Sequence, residues 1–155
     1  MVVKTKYFGE IDLEEAKIIN FERGIMGFEQ YKEFTILYDI ESEDKVGISW
    51  LQSLEEPGLA LPVINPFHIM ADYNPIVEDE VLKPLGNIKE DNLVILLSLT
   101  VPSDITKMSA NLKAPFIINS DSRKGSQIIV ENADYEIKYN IYDVVQALKK
   151  EKGEK

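Results

Sequence analysis

Short runs along the chain either alternate apolar with polar residues or collect β-branched ones. They are VVKTKYF from Val2, EFTILYDI from Glu33, VGISWLQS from Val46, LALPVI from Leu59, NLVILLSLTV from Asn92, APFIIN from Ala114 and SQIIVE from Ser126. Turn formers separate them, notably ERGIMG, EEPG and DSRKGS. Period-two runs bounded by Gly, Pro, Asp and Ser read as strands. So many in one chain predict a mostly β fold, a small antiparallel barrel-like domain whose closure hides strand edges. Pro62 and Pro115 cannot donate a ladder hydrogen bond, which assigns them to strand starts, edges or bulges. Two stretches read as short helices. In EDEVLKPLG the acids lead and Gly86 follows; in YDVVQALKKEKGEK, Val144, Val145 and Leu148 share a face and lysines gather near the C-terminal end.

No repeat or linker interrupts this pattern, so residues 1–150 are expected to form one domain, with 151–155 a frayed tail. The 155-residue length suits a single core. Cysteine is absent, which removes disulfides, thiolate zinc sites and cysteine nucleophiles and suits a reducing compartment. MVVKTKYFGEIDLEE lacks the apolar stretch of a signal peptide, and no apolar run reaches bilayer length. The chain reads as soluble and cytoplasmic.

Seventeen Lys and Arg against 27 Asp and Glu give a net charge of -10. That balance disfavours direct binding to nucleic acid and favours steering of basic partners. The carboxylates cluster in or beside turns: Glu41, Glu43 and Asp44; Glu55 and Glu56; Glu78, Asp79 and Glu80; Glu90 and Asp91. They read either as a solvated face or as a steering field. Arg123 and Lys124 form a basic turn within this acidic chain.

Catalytic chemistry finds no anchor. The one histidine, His68, sits in NPFHIMADY among apolar neighbours. No set of ligands with zinc spacing accompanies it. DIESEDKVGISW from Asp39 fails as a calcium loop, with Asp44 where Gly is needed and Trp50 where Glu is needed. Phosphate-cradling glycine motifs and the G-x-S-x-G elbow are absent from the sequence. The residues therefore give an enzyme no anchor, and neither a cofactor nor a metal is expected. A small barrel enclosing a ligand, or an enzyme with a pocket near His68 and Tyr73, stands as the alternative.

Four signatures in order carry a family resemblance: RGIMGFEQY from Arg23, WLQSLEEPGLALPVINP from Trp50, ADYNP from Ala71, and SANLKAPFIIN from Ser109 with a following SQII. In combination they resemble the FliW flagellar assembly factors. The resemblance implies a compact antiparallel β-barrel-like fold and a protein that binds flagellin and CsrA, the dimeric RNA-binding repressor. It also implies a regulatory cycle. Free FliW removes CsrA from flagellin mRNA, newly made flagellin occupies FliW, and flagellin export restores translation. Two positions depart from the family pattern: Met26 stands where Pro is common, and Asn65 where Asp is frequent.

Among the matching residues, Gly24 and Gly27 suggest a positive-φ turn, with Phe28 packing it onto the barrel. Trp50 alternates with its neighbours as a core residue. Glu29, Gln30, Gln52, Ser53, Glu55 and Glu56 are candidates for partner contact. Asn111 either satisfies a nearby loop or, with Pro115, marks an exposed edge strand within Ser109–Val130 that partners could use.

Overall fold

In the computed structural model of the chain, residues 1–38 and 47–153 are described, the last five of these as backbone alone. Eleven strands are present among them. They are β1 (Val2–Lys4), β2 (Glu10–Asp12), β3 (Ile19–Asn20), β4 (Glu33–Leu37), β5 (Ser49–Ser53), β6 (Ala60–Ile64), β7 (Leu93–Thr100), β8 (Ser109–Ala110), β9 (Phe116–Asn119), β10 (Lys124–Gln127) and β11 (Tyr139–Asn140). The helices are α1 (Asp79–Leu82) and α2 (Tyr142–Gly153).

Seven strands close into a barrel in the order β3-β4-β5-β6-β7-β9-β10 and back to β3. All pairings in the ring are antiparallel except the closing one, where Lys124 of β10 faces Asn20 of β3 in parallel. The far end of β7 leaves the ring to pair with β8, which pairs with β11. β1 and β2 form a separate hairpin.

Phe21, Phe34, Leu51, Val63, Leu96, Phe116 and Ile118 fill the interior. Phe21 meets Phe34 and Phe116 edge-on, at centroid distances of 5.5 and 6.0 Å. Gly125 makes room for this ring, since a Cβ there would lie 2.8 Å from Phe21. The opposite face of β6 and β7 builds a second core in which Ile64, Leu97 and Leu99 pack with Tyr73, Leu112, Ile141 and Val145. Burial on both faces explains why NLVILLSLTV reads as a continuous apolar run. A third, smaller cluster joins Leu85 to Ile117 and Ile128, with Val81 and Leu82 of α1 packed against it.

Two sequence expectations change here. β9 is flanked by β7 and β10, so Ser109–Val130 does not present an edge strand. Pro115 stands immediately before β9, is buried, and accepts from the Ile128 N–H at 3.0 Å. Trp50 is not a core residue. Its neighbour Leu51 takes the interior position at 0 % exposure, and Trp50 lies half-buried on the outer face against Tyr7, at 4.4 Å between ring centroids.

Candidate functional site

The segment RGIMGFEQY forms a compact turn outside the ring. Phe28 N–H donates to the Ile25 carbonyl at 2.7 Å, with Gly27 at φ 88° between them. Met26 keeps a negative φ, which makes this a type II turn, the form that favours Pro at the Met26 position. The Met26 N–H, which proline would lack, donates to Gln127 Oε1 at 2.9 Å, and Gln127 Nε2 donates to the Ala114 carbonyl at 3.1 Å. Gln127 thus ties the turn to the segment NLKAP. Gly24, at φ 72°, is required twice over: a Cβ would lie 2.6 Å from Glu29 Cα and from the Glu29 carbonyl oxygen. Phe28 is half-buried and packs on the barrel core.

The loop SLEEPG lies beside this turn and is fastened just past it, where the chain enters β4. Glu55 accepts from the backbone N–H groups of Lys32 and Glu33, while Leu54 N–H donates to the Glu33 carbonyl at 2.9 Å. Ser53 Oγ accepts from the N–H groups of Glu55 and Glu56 at 3.1 and 2.9 Å. Gln52 Oε1 accepts from Lys6 N–H, and its Nε2 donates to the carbonyls of Ser53, Pro57 and Leu59. Gln52 and Ser53 are both 0 % exposed. Their expected contact with a partner is therefore corrected: they brace the loop from beneath.

Between turn and loop runs a shallow groove of about 400 Å³, lined by Gly27, Phe28, Gln30, Tyr31, Glu56 and Leu59, among others. Met26, 45 % exposed, and the exposed Glu29, Gln30, Glu55 and Glu56 surround it. Backbone N–H groups of Glu29 itself and of Gly27, with Lys32 adding, hold the Glu29 carboxyl below the usual range, so it is ionised at neutral pH. The surface combines exposed apolar area with fixed negative charge, a composition suited to a basic protein patch.

The other candidates lie elsewhere. Asn111 is half-buried, and its Oδ1 accepts from Lys113 and Ala114 N–H, both at 3.0 Å, shaping the loop that enters β9. Glu78, Asp79 and Glu80 are exposed around the start of α1, with Glu80 paired to Lys83 at 3.1 Å. Glu41, Glu43 and Asp44 fall outside the described residues. Asn65 Oδ1 caps the turn Pro66–His68 by accepting from Phe67 N–H, a role an Asp would serve equally.

Among the described residues, His68 and Tyr73 do not converge on a pocket. His68 is exposed on its turn, whereas Tyr73 is buried, donates its hydroxyl to the Leu112 carbonyl at 2.8 Å and stacks on Tyr135. Burial pushes the Tyr73 hydroxyl pKa well above its ordinary value, so it stays protonated. Both lie outside the packed ring interior, and neither lines a groove formed by the described residues alone. Gln127 was not singled out from sequence, although the SQII signature contains it.

Comparison with known proteins agrees with this arrangement. The FliW protein family model matches residues 2–141. The flagellar assembly factor FliW of Lachnoclostridium phytofermentans is 57% identical over 155 residues, covering 99% of each chain. That of Lachnospira eligens is 52% identical, over 99% of this chain and 100% of its own. A crystal structure of the flagellar assembly factor FliW superposes with a TM-score of 0.81 at 33% identity, over 91% of this chain and 96% of that one. A family model spanning nearly the whole chain, relatives above half identity and a shared barrel agree: the chain belongs to the FliW family.

Proposed function

We propose that this protein is a non-catalytic cytoplasmic regulator that docks CsrA and flagellin, and that by taking up CsrA it relieves repression of flagellin mRNA translation. The observation that carries the reading is the meeting of family signatures at one acidic surface. Glu55 fastens the loop Leu54–Gly58 to Lys32 and Glu33, just past the turn Arg23–Tyr31, and Gln127 joins that turn to NLKAP. Met26, Glu29, Gln30 and Glu56 are exposed at this surface, Glu29 and Glu56 each with one carboxylate oxygen accepting from a backbone N–H, of Gly27 and Gly58 respectively. A repressor that binds RNA carries basic surface, and a preorganised acidic face meets it with little ordering cost.

Isothermal titration with the CsrA dimer and, separately, with flagellin, followed by competition, tests the proposal. Glu29→Lys combined with Glu56→Lys is expected to weaken CsrA binding by about tenfold or more in a protein that stays folded by circular dichroism, with a small drop in melting temperature from the lost bonds to the Gly27 and Gly58 N–H groups. Unaltered affinity in that variant would move the CsrA site elsewhere. Failure of both partners to bind the wild-type chain would remove the function itself.

A further inference from the structure

A second groove, sharing no lining residue with the docking surface, opens where β3, β4, β7 and β9 meet. It encloses about 500 Å³, within the range of ligand sites. Leu13, Ile19, Ile36, Val94 and Ile118 supply its apolar wall. Its charged lining residues are Lys17 and Arg123, both cationic in a chain of net charge -10. Neither forms a salt bridge among the described residues.

Arg123 occupies that rim at a cost. It has φ 59°, and among the described residues no other non-glycine has positive φ. At this hairpin position glycine would be unstrained. The chain instead keeps a side chain whose Nη1 donates to the Glu15 carbonyl at 2.7 Å, holding the guanidinium beside the segment Glu15–Lys17. Thr35 Oγ1 donates to the Lys17 carbonyl at 2.9 Å and fixes the same segment from below. Strain retained at an exposed cation over an apolar groove points to a ligand that uses both features.

We infer that this groove receives a short apolar segment of a partner polypeptide bearing carboxylates, its apolar side chains against the partly exposed Ile36 and Val94, with the buried Ile118 directly beneath, and its acids against Lys17 and Arg123. The occupant has the charge opposite to that of the basic partner proposed for the acidic surface, so the two sites stand or fall separately.

Two capped hexapeptides test this, one alternating leucine with glutamate and the other leucine with lysine; in an extended chain the two residue types face opposite sides. The full-length protein, labelled at its isoleucine and valine methyl groups, is titrated with each. The expected result is saturable shifts at Ile36, Val94 and Ile118, with the glutamate peptide bound about five- to tenfold more tightly. Lys17→Glu, on an exposed turn, should abolish or invert that preference. Arg123→Gly, which removes the cation and relieves the strained backbone, should reduce it without lowering the melting temperature. No shift up to about 1 mM peptide, shifts located elsewhere, or equal affinity for both peptides would each overturn the inference.

Discussion

Gly24 and Gly27 have similar backbone angles and different surroundings, and the difference sets what each substitution costs. Gly27 faces open space, so Gly27→Ala bears only the left-handed backbone, about 1 to 2 kcal/mol. Gly24→Ala adds a collision with the Glu29 backbone and is expected to cost clearly more. Urea unfolding of both variants checks the order; equal losses would contradict the packing described. Asn111→Ala should cost about 1 to 3 kcal/mol, because two backbone N–H groups lose their shared acceptor. At this scale the sequence was legible where backbone chemistry dictates identity, as with the glycines, whereas Asn111 stood open between bracing a loop and marking an exposed edge, and its side chain braces a loop. It was misleading where burial depends on what covers a strand from outside. Gln52 looked like a contact residue and Trp50 like core because the pattern of β5 alone does not reveal that Lys6 and the loop Pro57–Leu59 cap Gln52, while Tyr7 only partly covers Trp50.

Elements announced by long apolar or alternating runs, such as β4, β5, β6, β7 and β9, were readable, whereas two-residue strands such as β3, β8 and β11 carry too few residues for any periodicity. The brevity of β3 also hid the closure of the barrel, since its single register pair with β10 completes the ring. The Arg23–Tyr31 turn offers a test of how Met26 replaces the commoner proline. Proline there would suit the type II turn and restrict the unfolded chain, worth about 0.4 to 1 kcal/mol, but would forfeit the Met26 N–H bond to Gln127. Met26→Pro should therefore be about 1 kcal/mol more favourable in a Gln127→Ala background than in the wild type, a coupling readable from a double-mutant cycle of chemical denaturation. Independent effects of the two substitutions would mean the bond contributes nothing. In the core, Leu51→Ala should cost about 2 to 5 kcal/mol and Trp50→Ala less, reversing the ranking that side-chain size alone suggests.

For the molecule as a whole, charge and fold point in one direction. A net charge of -10 repels nucleic acid and draws basic proteins, and the ring gives the acidic turn and loop a rigid base. Family membership was legible from four signatures spread along the chain, whereas their meeting through Glu55 and Gln127 needed the fold, because the residues joined lie 22 and 101 positions apart. Arg123 and Lys124 lie on the β9–β10 turn, away from the lining of the acidic groove. Reversing both to Glu is therefore expected to leave CsrA affinity within about twofold by titration. Glu29 and Glu56 are the proposed encounter surface for CsrA. Its most direct test is stopped-flow association with the CsrA dimer across a salt series, for the wild type and for Glu29→Lys with Glu56→Lys. The expected result is a wild-type association rate that falls steeply as salt rises, and a slower, nearly salt-independent rate in the variant. Identical rates and identical salt slopes for the two proteins would contradict it.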